Sequence, residues 1–557
     1  FLKMLNLINK IKFFLNFCSH FFLKNLKKKT HINEFPLNVD ILGHQKPFLG
    51  SSKENGFFTR IYNEPIKNWS FLNNFYIKDV FHSFKSEIIW GKKTKKIDLD
   101  LDFDYVIPIS NLDKNEPINI NINSKKYDVI LPNDRFYHLS VKKNEKLTVE
   151  SKYNFVACNL VKKKDFLKNK SKLTLVLFVD GLINIENFNL GNMKDVMPNT
   201  QNFFKNGAIF KKHFANDMWS LPSAGTFFSG KYHQGHRLFH PNKADIVGKN
   251  YPILSEVFQK QNYYTFSVNG SWRLNPLCGF AKGFDRTIYK RSMNCSEVVN
   301  EFFDGHKSFK ERNQFVWLSL FDTHMINHLP DIESQINFSP QVLTKEHSMK
   351  KKTKSVLFKY DKDQIKKYVH TLKRIDFYLG ILFDYIKKNY NYSDYLVTMV
   401  SDHGQSFVDD EDFLLRNART HVPWMIAGSD IAAGEVHDIS ENVDVFNSII
   451  KKSGIENCPD NDGILPKAIG GEFKKEYTFA QNIQPGDNYK AAIRDQNFEF
   501  RFESESIIKD NGMFDPEPFN YKLFKIFKNE IVKNKEIEEK YLNICKLKIN
   551  DWLKKCN

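Results

Sequence analysis

"WSLPSAGTFFSGKY", residues 219–232, places the hydroxyl of Ser220 before a proline-containing turn and an apolar segment that ends at Gly230. Proline in the first turn and glycine just past the last turn are typical of an α-helix. The unpaired N–H groups and the positive dipole end at a helix start attract tetrahedral anions such as phosphate or sulfate. The stretch therefore predicts a helix that presents Ser220, either as a plain N-cap or as a nucleophile beside a bound anion.

Three apolar runs around this helix each end in polar residues. The runs are 173–179, 315–321 and 395–400, and unbroken apolar runs of this length predict strands that are buried on both faces. Ligand sites of open α/β sheets lie beyond the carboxyl ends of the strands. We therefore expect one site at this edge, built from the residues that follow the runs: Asp180-Gly181, Asp322-Thr323-His324 and Ser401-Asp402-His403-Gly404.

These residue types suit the cleavage of a phosphate or sulfate ester. Such a reaction needs a cation to neutralise the ester oxygens, a nucleophile in line, and a group that stabilises the leaving oxygen. Asp180, Asp402 and His403 are candidate metal ligands, with Ser220 as the nucleophile and a further ligand. The candidates for the third role are His324, Asp322 and His421. For each histidine named here, the alternative is a structural histidine that is only hydrogen-bonded in a loop.

In this order along the chain, the segments resemble the sulfatase branch of the alkaline phosphatase superfamily, from about residue 170 to residue 500. Further segments carry the resemblance: Met197–Thr200, Gly207–Phe210, Gly283–Asp285, Ile375-Asp376, His421–Pro423, Asn442–Phe446, Ser453–Ile455 and Asp462-Gly463. The resemblance implies an α/β fold with a mixed sheet flanked by helices and a small C-terminal antiparallel sheet. It also implies a hydrolase of anionic esters, on a saccharide or lipid head group, that uses a divalent metal ion: Ca, Mn, Mg or Zn.

The chain departs from the sulfatase pattern at three places. Ala224 stands where sulfatases carry the arginine that directs oxidation of the nucleophile to formylglycine, so we expect Ser220 to remain a serine. The first strand ends in Val179-Asp180-Gly181 rather than in two adjacent aspartates. Near Gly270 the expected lysine is missing and only Arg273 offers a replacement charge, so we expect Arg273, Lys231 and Asn269 to bind substrate.

Four functions are compatible with these residues. A plain serine under metal activation favours phosphoryl over sulfuryl chemistry. The alternatives are a true sulfatase, a transferase that passes a phosphoryl-linked head group to a glycan or lipid, and a glycan-binding pseudoenzyme.

The chain divides into four predicted regions. They are a basic amphipathic tail (1–30), a β-rich accessory domain (31–165), the catalytic domain (170–470), and a C-terminal subdomain with a packing helix within 524–553 (471–557). Strict alternation of apolar and polar residues over 97–104 predicts a strand with one buried and one solvent-exposed face. We expect this strand to belong to a sandwich-like unit that either binds a saccharide or supports the catalytic domain. A polar insertion over 330–362 is either a lid or substrate-selecting loop, or a solvent-exposed loop without such a role.

Composition restricts the partners. The net charge is +17, but no nucleic-acid-binding module is recognised, so we expect no nucleic acid partner. Seven cysteines without C-x-x-C spacing favour a reducing compartment. The apolar stretch 13–23 is too short to span a bilayer, which leaves a cytoplasmic location or peripheral membrane contact through residues 1–29.

Overall fold

A computed structural model describes residues 55–61, 85–112, 116–132, 135–168, 170–188, 190–240, 247–324 and 358–556. The predicted basic tail and most of the predicted insertion lie outside the described residues. Among the described helices, none combines the length and apolar character that crossing a membrane requires.

Twenty strands and ten α-helices make up the described fold. The strands are β1 Asn55–Ile61, β2 Ser86–Asp100, β3 Tyr105–Asn111, β4 Pro117–Ile122, β5 Lys125–Ile130, β6 Tyr137–Val141, β7 Lys146–Cys158, β8 Val161–Lys162, β9 Leu173–Val179, β10 Ala208–Phe214, β11 Tyr264–Asn269, β12 Arg286–Tyr289, β13 Gln314–Leu320, β14 Tyr395–Val400, β15 Trp424–Gly428, β16 Gly434–Glu441, β17 Thr478–Asn482, β18 Asn488–Arg494, β19 Phe498–Ile507 and β20 Phe519–Lys525. The helices are Met193–Val196, Pro198–Phe204, Ser220–Ser229, His233–His236, Leu254–Lys260, Cys295–Ser308, Lys362–Asn389, Asn417–Thr420, Asn442–Lys452 and Lys535–Lys554.

One large mixed sheet organises the molecule. Its strand order is β16-β10-β15-β14-β9-β13-β11-β12-β2-β7-β3-β6, and the run from β14 to β12 is parallel throughout. Every residue of β9, β13 and β14 is buried, because helices cover both faces of these strands. The predicted α/β fold with a mixed sheet flanked by helices is confirmed.

Two apolar cores lie on the two faces of the sheet. One contains Leu221 and Phe227 of the Ser220–Ser229 helix, together with Phe446 of the Asn442–Lys452 helix. The other contains Leu372 of the Lys362–Asn389 helix and residues of the Cys295–Ser308 helix. The long helix and the helix that begins at Ser220 therefore cover opposite faces.

The N-terminal β unit shares the large sheet. β2 pairs antiparallel with β12 through its first residues and with β7 through its remaining length. β2 ends at Asp100, although the alternation of apolar and polar residues continues to residue 104. The chain turns after Asp100 because the Leu101 N–H donates a hydrogen bond to the Glu145 carbonyl. The boundary near residue 165 stays a prediction.

The C-terminal region has the predicted small antiparallel sheet, β17-β18-β19-β20. The packing helix begins at Lys535, well after residue 524, because residues up to Lys525 belong to β20. Asn534 caps this helix by accepting a hydrogen bond from the Ile537 N–H.

Candidate active site

Two neighbouring parallel strands deliver the acidic residues to one place. β9 and β14 pair in register with Phe178 opposite Val400, so the residues that follow them, Asp180 and Asp402, leave the same edge of the sheet. Both carboxyl groups are fully buried, and His403 is 4% exposed. A ligand atom from each of these three residues lies within 4.8 Å of the others.

Ser220 joins this group from the helix on one face of the sheet. Its side-chain oxygen donates a hydrogen bond to Oδ2 of Asp180 at 3.2 Å and lies 3.4 Å from Nε2 of His403. Trp219 before it is extended, and all ten residues of the Ser220–Ser229 helix are buried. The structure therefore brings together the four residues named as metal ligands.

The orientation of His403 suits metal binding. Its Nδ1 lies 2.9 Å from the carbonyl oxygen of Gly404, an acceptor, so Nδ1 carries the proton and Nε2 has the free lone pair. Nε2 lies 3.4 Å from Oδ2 of Asp402 and 3.9 Å from Oδ1 of Asp180. Burial lowers the pKa of His403 well below its ordinary value, which keeps the ring neutral.

The acidic pair leaves two buried oxygens without a partner. Among the described residues nothing bonds Oδ1 of Asp180 or Oδ2 of Asp402, whereas Oδ1 of Asp402 accepts from the N–H groups of Gly181 and His403. Burial raises the pKa of both carboxyl groups, and for Asp180 the neighbouring Asp402 carboxylate adds to it. Buried carboxylates need a counter-charge, and two carboxylates with one neutral imidazole form a suitable donor set for a divalent cation.

Asp322 and His324 follow β13 as predicted but differ in surroundings. Asp322 is 2% exposed, and its Oδ1 accepts a hydrogen bond from Arg374 of the long helix at 3.2 Å. His324 is exposed and stacks on Phe321 at 4.7 Å between ring centroids. After burial and Arg419, His324 also contributes to lowering the pKa of His403, so it lies near the predicted metal-binding residues.

His421 is enclosed by other partners. Its Nε2 lies 2.8 Å from the Lys211 carbonyl oxygen, its Nδ1 lies 2.7 Å from the Asn187 side-chain amide, and its ring packs against Phe214. Burial lowers its pKa to about 4. Both ring nitrogens are thus engaged away from Ser220, and these contacts favour a structural role over catalysis.

The three predicted substrate-binding residues lie in different environments. Arg273 packs over the ring of Trp219 at 5.0 Å, and its positive charge offsets part of the rise that burial and Asp402 cause in the pKa of Asp180. Asn269, at the end of β11, is fully buried, and neither side-chain amide atom has a partner among the described residues. Lys231 instead pairs with Asp460 at 2.8 Å.

Several supporting residues were missed from the sequence. Thr323 donates to the Asp180 carbonyl, Tyr368 donates to the Gly181 carbonyl at 2.9 Å, and Ser223 donates to the Asp402 carbonyl at 3.0 Å. Arg419 is a buried cation beside the carboxylates. Thr323 and Ser223 lie inside the recognised motifs, whereas no sequence signal marks Tyr368 or Arg419.

Comparisons with known proteins identify the family of the chain. The sulfatase family model matches residues 174–455, just over half of the chain. No curated protein matches the chain by sequence.

Solved structures show the same fold at low sequence identity. The protein BT4656, in complex with its substrate D-glucosamine-2-N,6-O-disulfate, is 12% identical, with a TM-score of 0.50 over 69% of this chain and 98% of its own. The phosphonate monoester hydrolase of Agrobacterium radiobacter is 14% identical, with a TM-score of 0.51 over 69% of this chain and 96% of its own.

The family match and the fold, together with the convergence of the motif residues at one sheet edge, lead to one assignment. This chain belongs to the sulfatase family of ester hydrolases, within the alkaline phosphatase superfamily.

Proposed function

We propose that this protein hydrolyses phosphate or sulfate esters with Ser220 as a covalent nucleophile, and that it prefers phosphate esters. The observation that carries the proposal is the position of the Ser220 hydroxyl, at a helix start and 3.2 Å from a buried carboxylate oxygen of Asp180. A helix start stabilises the negative charge of the ester, and the carboxylate orients the hydroxyl.

Asp180, Asp402 and His403, with Ser220 as a further ligand, would hold a divalent metal ion. Such an ion, when bound, supplies a Lewis acid that neutralises negative charge on the ester oxygens. The unpartnered oxygens of the two carboxylates and the free Nε2 of His403 support this assignment.

The protein side chains account for the rest of the reaction. The Ser220 hydroxyl gives its proton to Oδ2 of Asp180, its hydrogen-bond acceptor, as the serine oxygen forms a bond to phosphorus. The bond between phosphorus and the ester oxygen breaks, and the leaving alcohol takes a proton from His324. Water then attacks phosphorus and gives a proton back to His324, while the serine oxygen leaves and regains its proton from Asp180, which releases inorganic phosphate and restores the serine. Arg273, which packs over the ring of Trp219 beside Ser220, would bind the anionic substrate.

The phosphoryl preference rests on Ser220 and its surroundings. A serine forms a covalent ester that a second step must break, and metal-assisted phosphoserine chemistry does this. The arginine of the maturation pattern is replaced by Ala224, which is fully buried among apolar residues of the helix face.

Sulfate esters are the second candidate. The observation that favours them is the BT4656 complex, because that protein holds a disulfated glucosamine as its substrate and has the same fold. A sulfated or phosphorylated saccharide is therefore the proposed natural substrate class, and aryl esters with the same reacting groups can stand in for it in an assay.

A substrate panel tests the proposal. Purified protein is supplied with Mn²⁺, Ca²⁺, Mg²⁺ or Zn²⁺ and assayed on three esters: p-nitrophenyl phosphate, bis(p-nitrophenyl) phosphate and p-nitrophenyl sulfate. Mass spectrometry of the peptide that contains Ser220 reports the chemical state of that residue. We expect unmodified serine and a larger kcat/KM for a phosphate ester. Formylglycine at position 220, or a larger kcat/KM for the sulfate ester, would show that the protein is a true sulfatase. Addition of an acceptor alcohol separates hydrolysis from transfer by the products formed.

A further inference from the structure

One buried arginine connects the two halves of the candidate site. Arg419 is 2% exposed and lies within the short Asn417–Thr420 helix. Its Nη1 donates to the Gly404 carbonyl at 2.5 Å, and its Nη2 donates to the Met218 carbonyl. Met218 lies two residues before Ser220, and Gly404 directly follows His403, so a single guanidinium holds both segments.

The Gly404 carbonyl is a shared acceptor. It receives hydrogen bonds from Nη1 of Arg419 and from Nδ1 of His403. A second bond reinforces the contact, because the Gly404 N–H donates to the Arg419 carbonyl at 2.8 Å. A Cβ at position 404 would lie 2.1 Å from the Ala418 carbonyl oxygen, so only glycine permits this approach.

The segment before Ser220 is held from a second side. Asp217 is fully buried, and its Oδ1 accepts from the N–H groups of Met218 and Trp219. Its Oδ2 lies 2.5 Å from Nε2 of His233. The Asp217 side chain therefore binds the N–H side of the segment, while Arg419 binds its carbonyl side.

We propose that Arg419 is a positioning residue of this site: by joining the carbonyls of Met218 and Gly404, it fixes Ser220 relative to His403 and directs the Nε2 lone pair of His403 towards the metal position. This inference rests on the proposed function, since it assigns Arg419 a role in preparing the proposed metal site. Groups that orient a metal-binding histidine through its other ring nitrogen commonly affect metal affinity by about 10- to 100-fold.

The chain offers a matched control in Arg312. This arginine is 4% exposed. Its Nη1 donates to the Lys162 carbonyl and its Nη2 donates to the Asn262 carbonyl, both at 3.0 Å. As in Arg419, the Nε atom has no partner among the described residues. Arg312 bonds segments outside the candidate site. Arg312→Met therefore reproduces the loss of a buried guanidinium between two carbonyls without changing the surroundings of His403.

The test measures Mn²⁺ affinity by electron paramagnetic resonance and thermal stability by calorimetry, in the full chain and in Arg419→Met, Arg419→Lys and Arg312→Met. We expect Arg419→Met to weaken Mn²⁺ binding about 10- to 100-fold. Arg419→Lys, which keeps the charge and one or more donors, should weaken it less. Arg312→Met should lower the thermal midpoint and keep the affinity of the unchanged protein.

Each outcome has a distinct meaning. If the unchanged protein does not bind Mn²⁺ and neither Ca²⁺, Mg²⁺ nor Zn²⁺ raises its thermal midpoint, both the proposed function and this inference are overturned; if one of those cations does raise it, the variants are compared with that cation instead. If it binds Mn²⁺ and Arg419→Met binds equally well, or if Arg312→Met weakens binding to the same extent, the inference alone is overturned. Where Arg419→Met does not fold, Arg419→Lys decides: a loss of affinity supports the inference, and unchanged affinity overturns it.

Discussion

Ser220 is the residue whose hydroxyl forms the new bond in the proposed reaction, while the fold depends on it little. Ser220 is the first residue of the Ser220–Ser229 helix and not its capping residue, which is Trp219. The contacts of the Ser220 hydroxyl are with Asp180 and His403, which belong to the site itself. Function and stability are therefore separable at this position.

Ser220→Ala should abolish turnover and leave the fold intact. We expect the free energy of unfolding to change by no more than about 1 kcal/mol, since one hydrogen bond contributes about that much. Steady-state kinetics on the preferred ester and chemical denaturation measure the two effects. Ser229→Ala is the control, because its hydroxyl donates to the Gly225 carbonyl and accepts from the Lys231 N–H, at the other end of the same helix. Near-normal turnover in Ser220→Ala would exclude covalent catalysis by this residue.

Asp402→Asn should separate metal binding from stability. Without metal, the two buried carboxylates repel each other and the Arg419 cation beside them offsets only part of their charge, so the neutral amide should make the metal-free protein as stable as the original or more stable. The amide oxygen can still accept from the N–H groups of Gly181 and His403.

Thermal unfolding with EDTA and with added divalent cation tests this expectation. The unchanged protein should be stabilised by the cation and Asp402→Asn should not, because ligands stabilise only a folded state that binds them. Asp376→Asn is the control, because its carboxylate accepts from the N–H and hydroxyl of Thr200 and from none of the four proposed ligands. This variant should lose stability in both conditions yet still respond to the cation. An equal response of Asp402→Asn to the cation would contradict the ligand assignment.

At the scale of elements, the C-terminal helix is tied to the small sheet and to the chain that follows the Ser220–Ser229 helix. Trp552 is fully buried, and its Nε1 donates to the Gly512 carbonyl at 2.8 Å. The guanidinium of Arg237 lies 3.6 Å from the centre of the Trp552 ring, and Phe239 packs edge-on against it. One side chain thus joins three parts of the chain.

Trp552→Ala should lower the free energy of unfolding by about 3–5 kcal/mol, because a large buried aromatic side chain leaves a cavity. Chemical denaturation measures the change. Leu547→Ala on the same helix is the control, since Leu547 is 69% exposed, and it should change stability by about 0.5 kcal/mol or less. Similar effects of the two substitutions would show that the helix does not depend on its buried face.

At the scale of the whole molecule, the N-terminal β unit and the catalytic region share one sheet and a buried ion pair at the junction. Arg286 of β12 donates through Nε to Glu87 of β2 at 2.5 Å, and Glu87 is fully buried. The two strands pair antiparallel at this point. The β unit is therefore continuous with the catalytic sheet through hydrogen bonds and a charge pair.

Arg286→Ala should destabilise the protein by about 3–5 kcal/mol, because removing one partner of a buried pair leaves an uncompensated charge. Lys290→Ala is the control: its pair with Glu297 is about one-third exposed, and exposed pairs contribute about 0–1 kcal/mol. Calorimetry on both variants checks the comparison. A single unfolding transition that shifts as a whole in Arg286→Ala indicates that the β unit and the catalytic region unfold together, whereas two separate transitions would indicate independent domains.

Much of the site could be predicted from local sequence, because unbroken apolar runs specify buried strands and chain direction specifies which end faces the site. β14 has the predicted bounds, β13 is shifted by one residue, and Asp180, Ser220, Asp402 and His403 lie together. Element ends were less accurate. The alternation of apolar and polar residues continues past Asp100, but β2 ends there. The end of the strand depends on the hydrogen bond from Leu101 to Glu145, which lies far along the chain and could not be read from the local pattern.

The sequence by itself determined the fold class and which polar residues follow the central strands, since both depend on short stretches of chain. Only the tertiary structure decided what each side chain contacts: Asp322 with Arg374, His421 with Lys211 and Asn187, and Arg419 between Met218 and Gly404. These contacts join residues from separate segments, and their strength comes from burial and hydrogen-bond geometry that exist only once the sheet and its helices have packed.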